Sequence, residues 1–198
     1  MNQNNYSFLR NPIFWIFGTC LLFFILSLLS ESIFQNLALH VGYWTSEPWT
    51  LLTSVFLHSD FFHFLLNMVA LYFLGTSLLR MIGWRRFLII YFLSALIGSL
   101  LFALLGPENT AVVGASGAIF GLGGALVMLN PSAKVIIFPI PIPMPIWAAI
   151  LILLVVMSFI PNVAWQAHIG GALMGVICGL FMRLVTFKHY YRNRRFFS

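Results

Sequence analysis

Acidic residues are almost missing from this chain: 198 residues hold four, Glu31, Glu47, Asp60 and Glu108, and charges of both signs make up only 7%. Soluble domains carry roughly a quarter of their residues as Asp, Glu, Lys or Arg, so a soluble single domain is excluded. Cysteine is scarce too. Cys20 and Cys178 both fall inside apolar runs, which leaves neither a disulfide framework nor a metal-ligand spacing. Internal repeats and low-complexity linkers are also missing, so nothing marks a domain boundary. What is present is apolar: 61% hydrophobic and 17% aromatic residues. At about 20 apolar residues per span, the chain has room for six membrane helices and short loops. The expectation is one all-α membrane domain over residues 1–198.

The apolar runs extend roughly over Ile13 to Leu29, Leu57 to Leu79, Phe87 to Leu105, Ser116 to Leu129, Pro145 to Ile160 and Ala167 to Phe187. The gaps between them alternate in charge. Arg10 precedes the first run, Arg80, Arg85 and Arg86 follow the second, Lys134 follows the fourth, and Arg183, Lys188, Arg192, Arg194 and Arg195 end the chain. The acids occupy the other gaps. Positively charged loops stay in the cytoplasm, so six spans with both termini cytoplasmic are predicted, with a short N-terminal segment and a basic C-terminal tail. The net charge of +6 is read as membrane orientation, with the tail against anionic lipid, and not as nucleic-acid binding. The first run is expected to stay as a helix because no small-residue cleavage site follows it. Tyr43, Trp44 and Trp49 suit the bilayer interface, so the long connection from Ser30 to Phe56 is expected to be folded and partly embedded. Five prolines between Pro131 and Pro145 forbid a continuous helix there.

Polar residues are therefore rare enough to be conspicuous. His63 and Asn67 lie one helical turn apart and face the same way; Ser116 opens a run of 14 residues, about 21 Å long against a hydrocarbon core of about 30 Å; His168 opens the last run. The predicted topology puts all four near the outer ends of like-oriented helices. The segment from Asn109 to Val113 then sits at membrane depth without being helical, which requires a covering of protein or access of water. Glycines at Gly117 and Gly121, and at Gly171, Gly175 and Gly179, repeat every fourth residue and allow close helix approach. Phe120, one turn from Ser116, is placed to pack on an imidazole. A nucleophile, a base and two donors are the parts of acyl transfer. The same residues also admit other readings: helix packing for Ser116, an interhelical bond or a solute path for the histidines. No carboxylate or cysteine completes a metal ligand set with them, so no metal or other cofactor is expected.

Taken together, His58-(x4)-His63-(x3)-Asn67, Gly114-Ala115-Ser116-Gly117 and Ala167-His168-(x2)-Gly171-(x3)-Gly175 resemble, in order and spacing, the motifs of the rhomboid intramembrane serine proteases. Asn130-Pro131 followed by a Phe-Pro-Ile-Pro stretch is similar to bacterial members. The resemblance covers most of the chain. It implies a six-helix rhomboid-like bundle with Ser116 as nucleophile, His168 as general base, and His63, Asn67 and the Ser116 backbone N–H as oxyanion hole. His58, Gly114, Gly117 and Phe120 are implied supporting positions. Where the family's first loop often has Trp-Arg, this chain has Trp49-Thr50.

The reading implied is a Ser-His dyad without an acidic partner, with packing on Phe120 and nearby hydrogen bonds orienting His168. Activity is expected to fall on acidification, since only neutral imidazole accepts a proton. Single-pass transmembrane proteins are the expected substrates and the lipid bilayer the medium. The site would open to the periplasmic or extracellular side of the plasma or inner membrane, with lateral access near the second and fifth helices. The loop from Pro161 to Gln166, with Trp165, is the expected lid. A non-proteolytic relative that binds membrane helices, and a transporter, are the competing readings.

Overall fold

The computed structural model describes the backbone of residues 11–137, 140–160 and 163–194, and the side chains of 11–136, 141–160 and 163–185. Arg10, Arg195, Phe138, Pro139 and Pro161 lie outside these residues, as do the side chains of Lys188, Arg192 and Arg194.

Helix α1, Pro12–Leu29, starts where Asn11 accepts a hydrogen bond from the Ile13 N–H at 3.0 Å, with Pro12 in the first turn. The long connection that follows is folded: α2 covers Glu31–Leu37, β1 Leu39–His40 and α3 Thr50–Thr53. Helix α4, Phe61–Ala70, continues through one wide π turn, Leu71–Gly75, into α5, Thr76–Ile82. Gly83, with φ of 78°, breaks the chain before α6, Trp84–Leu105. Strand β2, Ala111–Val112, then leads to α7, Ser116–Leu129. Strands β3, Lys134–Ile137, and β4, Ile140–Pro145, form an antiparallel ribbon before α8, Ile146–Ser158, and α9, Trp165–Arg194.

Four helical stretches, Pro12–Leu29, Phe61–Ile82, Trp84–Leu105 and Trp165–Val185, are long and apolar enough to cross a membrane, while α7 and α8 are apolar but shorter. Three details differ from the sequence reading. The second helix begins at Phe61 and not Leu57, because the Asp60 carboxylate accepts from the His63 backbone N–H at 2.9 Å and caps it there. His58 therefore precedes that helix, after a 3₁₀ turn at Ser54–Phe56. The last helix begins at Trp165, so Trp165 and Gln166 form its first turn instead of a loop; the Gln166 amide is buried and donates to the Leu105 carbonyl at 3.2 Å. The proline-rich stretch pairs as strands. Pro141, Pro143 and Pro145 recur every second residue, so the missing N–H groups all fall on one edge of β4.

Helix α7 is the centre of the bundle, with Gly117 to Ile119 and Gly121 to Leu126 all buried. Glycine is what lets α9 reach it. A β-carbon on Gly171 would strike the Gly117 carbonyl, and one on Gly175 the Gly121 carbonyl. From the other side, Ser94 of α6 covers Gly121, and a β-carbon on Gly98 of α6 would meet the Ala167 carbonyl. Backbones this close gain dispersion contacts that lipid cannot supply. Helix α1 packs differently, through Ile13, Ile16, Cys20 and Phe24 at helical spacing, with Phe24 stacked on Phe64 at 5.1 Å.

The non-helical approach to α7 is held from the long connection. Leu39 pairs with Val112 and His40 with Ala111, the Val41 N–H donates to the Thr110 carbonyl at 2.9 Å, and the Gly114 N–H donates to the Ser54 carbonyl at 2.9 Å. Those bonds satisfy backbone that helix geometry cannot. The connection also closes on itself: Thr50 is buried and donates to the Glu47 carbonyl at 2.6 Å, Trp49 to the Asn36 carbonyl at 3.1 Å, and Thr53 to the Leu37 carbonyl at 2.9 Å. Thr50 thus has its own anchoring bond.

Candidate active site

Ser116 and His168 are 52 residues apart in sequence, yet Ser116 Oγ lies 2.8 Å from His168 Nε2. The contact follows directly from the glycine seam. Ser116 is the first residue of α7 and His168 stands in the first turn of α9, so both project at the same end of two helices whose backbones touch at Gly117 and Gly171. The Phe120 ring lies 4.7 Å from the imidazole centroid, tilted by 33°. The imidazole is 6% exposed, and among the described residues its Nδ1 has no hydrogen-bond partner. The expected orienting hydrogen bonds are therefore not found there; Ser116 and Phe120 fix the ring. An imidazole that accepts from the serine at Nε2 must carry its proton on Nδ1.

His63 reaches the same place from α4. Its Nε2 lies only 2.7 Å from where a β-carbon on Gly114 would sit, and Gly114 also adopts φ of +120°. Only glycine meets both demands, since L side chains rarely take that conformation. The other ring nitrogen turns back toward Ser59, whose Oγ is 3.0 Å from Nδ1 and whose backbone N–H is 3.5 Å from it. Asn67 is 7% exposed and its amide donates to the His63 carbonyl at 2.8 Å. One N–H of the pair remains, because a carboxamide nitrogen has two. The backbone N–H groups of the first turn of α7 lack helical partners and carry the positive end of the helix dipole, beside Ser116 Oγ. Ser116 and His168 are thus in contact, His63 lies beside Gly114 two residues before Ser116, and Asn67 is tied to the His63 backbone.

His58 is not among them. It is buried behind His63, edge-on to that ring at 5.2 Å and to Phe64 at 5.4 Å. It lies beside the Phe56 carbonyl, but among the described residues neither ring nitrogen completes a hydrogen bond of ordinary geometry. Its place is that of a wedge under His63. Gly121 and Gly179 lie farther along the seam, Gly179 against Ala125 and Met128. Among the described residues no group of three His, Cys, Asp or Glu side chains could hold a metal ion.

Sequence reading left Ser59 out, took Asp60 only as one of the acids between spans and took Gln166 only as the end of the expected lid loop. Asp60 and Ser59 were legible as a helix-capping pair one turn before His63, since Asp is a favoured N-cap. Asp60 precedes the helix, and the His63 backbone N–H, followed by the Ser59 hydroxyl at 2.8 Å, holds its carboxyl below the usual carboxylate range. Gln166 carried no such signal, because its partner is a carbonyl 61 residues away.

The family model described as the rhomboid domain matches residues 45–184. Rhomboid protein 1, mitochondrial, of Saccharomyces cerevisiae is 35% identical over 181 residues, 81% of this chain and 49% of that protein. Rhomboid protease GluP of Bacillus subtilis is 38% identical over 129 residues, 65% of this chain and 25% of that protein. A relative from Arabidopsis thaliana named Inactive RHOMBOID-like protein 8 is 43% identical over 88 residues, 44% of this chain and 24% of that protein. The chain spans about half the length of the yeast relative and about a quarter of the other two.

Proposed function

The chain belongs to the rhomboid family, and from that premise we propose that it is a serine endopeptidase that hydrolyses a peptide bond in or near the transmembrane helix of single-pass membrane proteins. Family membership alone does not carry catalysis, since one relative is named inactive. The observation that carries it is the 2.8 Å approach of Ser116 Oγ to His168 Nε2.

The chemistry runs as acyl transfer. Ser116 Oγ attacks the scissile carbonyl carbon while its proton passes to His168 Nε2; the oxyanion is met by His63, Asn67 and the Ser116 backbone N–H. His168 returns the proton to the leaving amine. A water then adds to the acyl-enzyme ester, giving its proton to His168, and Ser116 is restored. His58, Gly114, Gly117 and Phe120 support these groups by position. All six apolar helices span in this reading, residues 1–198 form one domain, both termini are cytoplasmic, and water reaches Ser116 from the periplasmic or extracellular side of the cell membrane. The substrate helix comes in laterally near α4 and α8 and unwinds locally before Ser116 reaches its backbone. Trp165, 41% exposed in the first turn of α9, is the lid in this reading.

The test is labelling of the detergent-solubilised protein by a fluorophosphonate serine probe. Wild type is expected to label, and Ser116→Ala and His168→Ala are expected to lose at least about 1,000-fold in labelling rate. A folded wild type that stays unlabelled in detergent and again in lipid would overturn the reading in favour of a helix-binding protein. Once a substrate is in hand, Asn67→Ala should lower kcat by about 100-fold while leaving residual turnover, as loss of one oxyanion donor does. Turnover should also decline on acidification, because protonated His168 cannot act as base.

A further inference from the structure

Between α1 and the continuous helix of α4, the wide turn and α5, apolar side chains stand back and leave a cavity of about 670 Å³. Ile13 and Gly18 line one wall, Leu65 and Val69 the other. That volume falls within the range of roughly 300–1,000 Å³ usual for ligand sites. Two local features open it. Gly18 has no side chain, and a β-carbon there would meet nothing within 4 Å. The wide turn at Leu71–Gly75 carries Tyr72 and Phe73 into the wall, both more than half exposed.

One end of this groove leads to a cation. Beyond Tyr72 and Phe73, the hydroxyls of Thr76 and Ser77 donate back to the Tyr72 and Phe73 carbonyls, the latter at 2.8 Å, so both are satisfied within the helix. Arg80 stands exposed on the same side, four residues from Thr76 and three from Ser77. It is about 10 Å of helix rise from Phe73. Trp84, 44% exposed, opens the next helix with Arg85 over its ring at 5.2 Å, and such a pair marks the headgroup level. All four acids lie at the opposite helix ends: Glu31 after α1, Glu47 and Asp60 before α4, Glu108 after α6. An apolar slot that ends at a cation with no acid at its end of the bundle complements an amphiphile with an anionic head.

We propose that this groove is a binding site for one anionic phospholipid, which lays an acyl chain against Gly18 and sets its phosphate at Arg80. Such a site needs only that the chain lie in a membrane, as its apolar helices and its family require. A helix of a second copy or of a substrate would leave Arg80 without an anion, whereas a phospholipid satisfies both ends of the groove. The lipid would fill the seam behind α4, whose Leu65 and Val69 face outward while Asn67 is buried inward.

The experiment is native mass spectrometry of the full chain, released from detergent micelles supplied in turn with dioleoyl phosphatidylglycerol and dioleoyl phosphatidylcholine. Wild type is expected to keep one phosphatidylglycerol, held about fivefold more tightly than phosphatidylcholine. Gly18→Leu fills the slot and should lower retention of both lipids by about tenfold or more; Gly18→Ala, which fills less, should lower it less. Arg80→Gln should abolish the preference for phosphatidylglycerol and leave phosphatidylcholine within about twofold of wild type. Folding is not at issue, because Gly18 and Arg80 are exposed, and leucine and alanine suit a helix better than glycine. A wild type that keeps no phospholipid, a Gly18→Leu protein that keeps as much as wild type, or an unchanged preference in Arg80→Gln would each overturn the proposal. So would a dimer that Gly18→Leu dissociates, since the groove would then belong to a second copy. Lipid retention needs no turnover, so failure of the fluorophosphonate to label Ser116 would count against the protease reading and leave this site to be judged separately.

Discussion

Helix α9 meets α7 backbone to backbone along Gly117, Gly121, Gly171 and Gly175, whereas α8 is buried only at its start, through Ile146, Ala149 and Ile150. Past Ile150 the side chains of α8 are exposed or half-buried, with Leu151, Val155 and Val156 about half exposed, and Phe159 just after the helix is 83% exposed. Both helices are apolar, so hydrophobicity does not separate them. Side-chain size does. Small residues fix the distance between α7 and α9 by contact of atoms that cannot rotate away, and a 2.8 Å serine–histidine pair needs that fixity. Bulky side chains on α8 leave its far end to pack against whatever lies beside it. A rigid pair for the chemistry beside a loosely held helix is the arrangement expected where another helix must be admitted.

The strongest way to break the contrast is to put a methyl group in the seam. Gly171→Ala and Gly175→Ala each set a β-carbon against a backbone carbonyl of α7, which cannot yield by rotamer change. Each is expected to destabilise the bundle by about 1–3 kcal/mol and, by separating Ser116 from His168, to lower the rate of probe labelling by about 100-fold or more. Unfolding in a graded denaturant series, with labelling in parallel, reads both. Retained activity in either variant would mean that the seam does not set the dyad distance.

The seam was legible in sequence because fourfold glycine spacing has few other uses in an apolar helix, and so were Ser116, His63, Asn67 and His168 as polar residues in largely apolar runs. Positions fixed by partners distant in sequence were not. The apolar run that holds His63 reads from Leu57 and so takes in His58, yet the Asp60 cap starts the helix after it. Trp165 and Gln166 read as loop because two apolar runs are separated there; the bond from Gln166 to Leu105 draws them into α9. The β1–β2 pairing, two residues on each strand, is too short for any alternation to announce. Yet that pairing holds the approach to Ser116.

A smaller effect is expected at a buried contact of α8. Ile150 is 8% exposed, and its side chain fills the space over Gly123 of α7. Ile150→Ala should cost about 2 kcal/mol by leaving that space empty, while probe labelling stays within about threefold of wild type, because the dyad hangs on α9 and not α8. A loss of labelling as large as that of the glycine variants would mean that α8 also positions Ser116.

The smallest effect on stability, and the sharpest on the contrast, is expected beyond Ile150. Val155 and Val156 are exposed, so Val155→Ala and Val156→Ala should change stability by no more than about 0.5 kcal/mol. If α8 borders the path of a substrate helix, trimming this face should speed cleavage of a membrane-helix substrate by roughly twofold or more. Labelling by the small fluorophosphonate, which needs no such passage, should not change. The two rates respond to different things: one to the admission of a helix, the other to the activation of Ser116. Equal changes in both would show that α8 acts on the dyad itself, and no change in either would place the path elsewhere on the bundle.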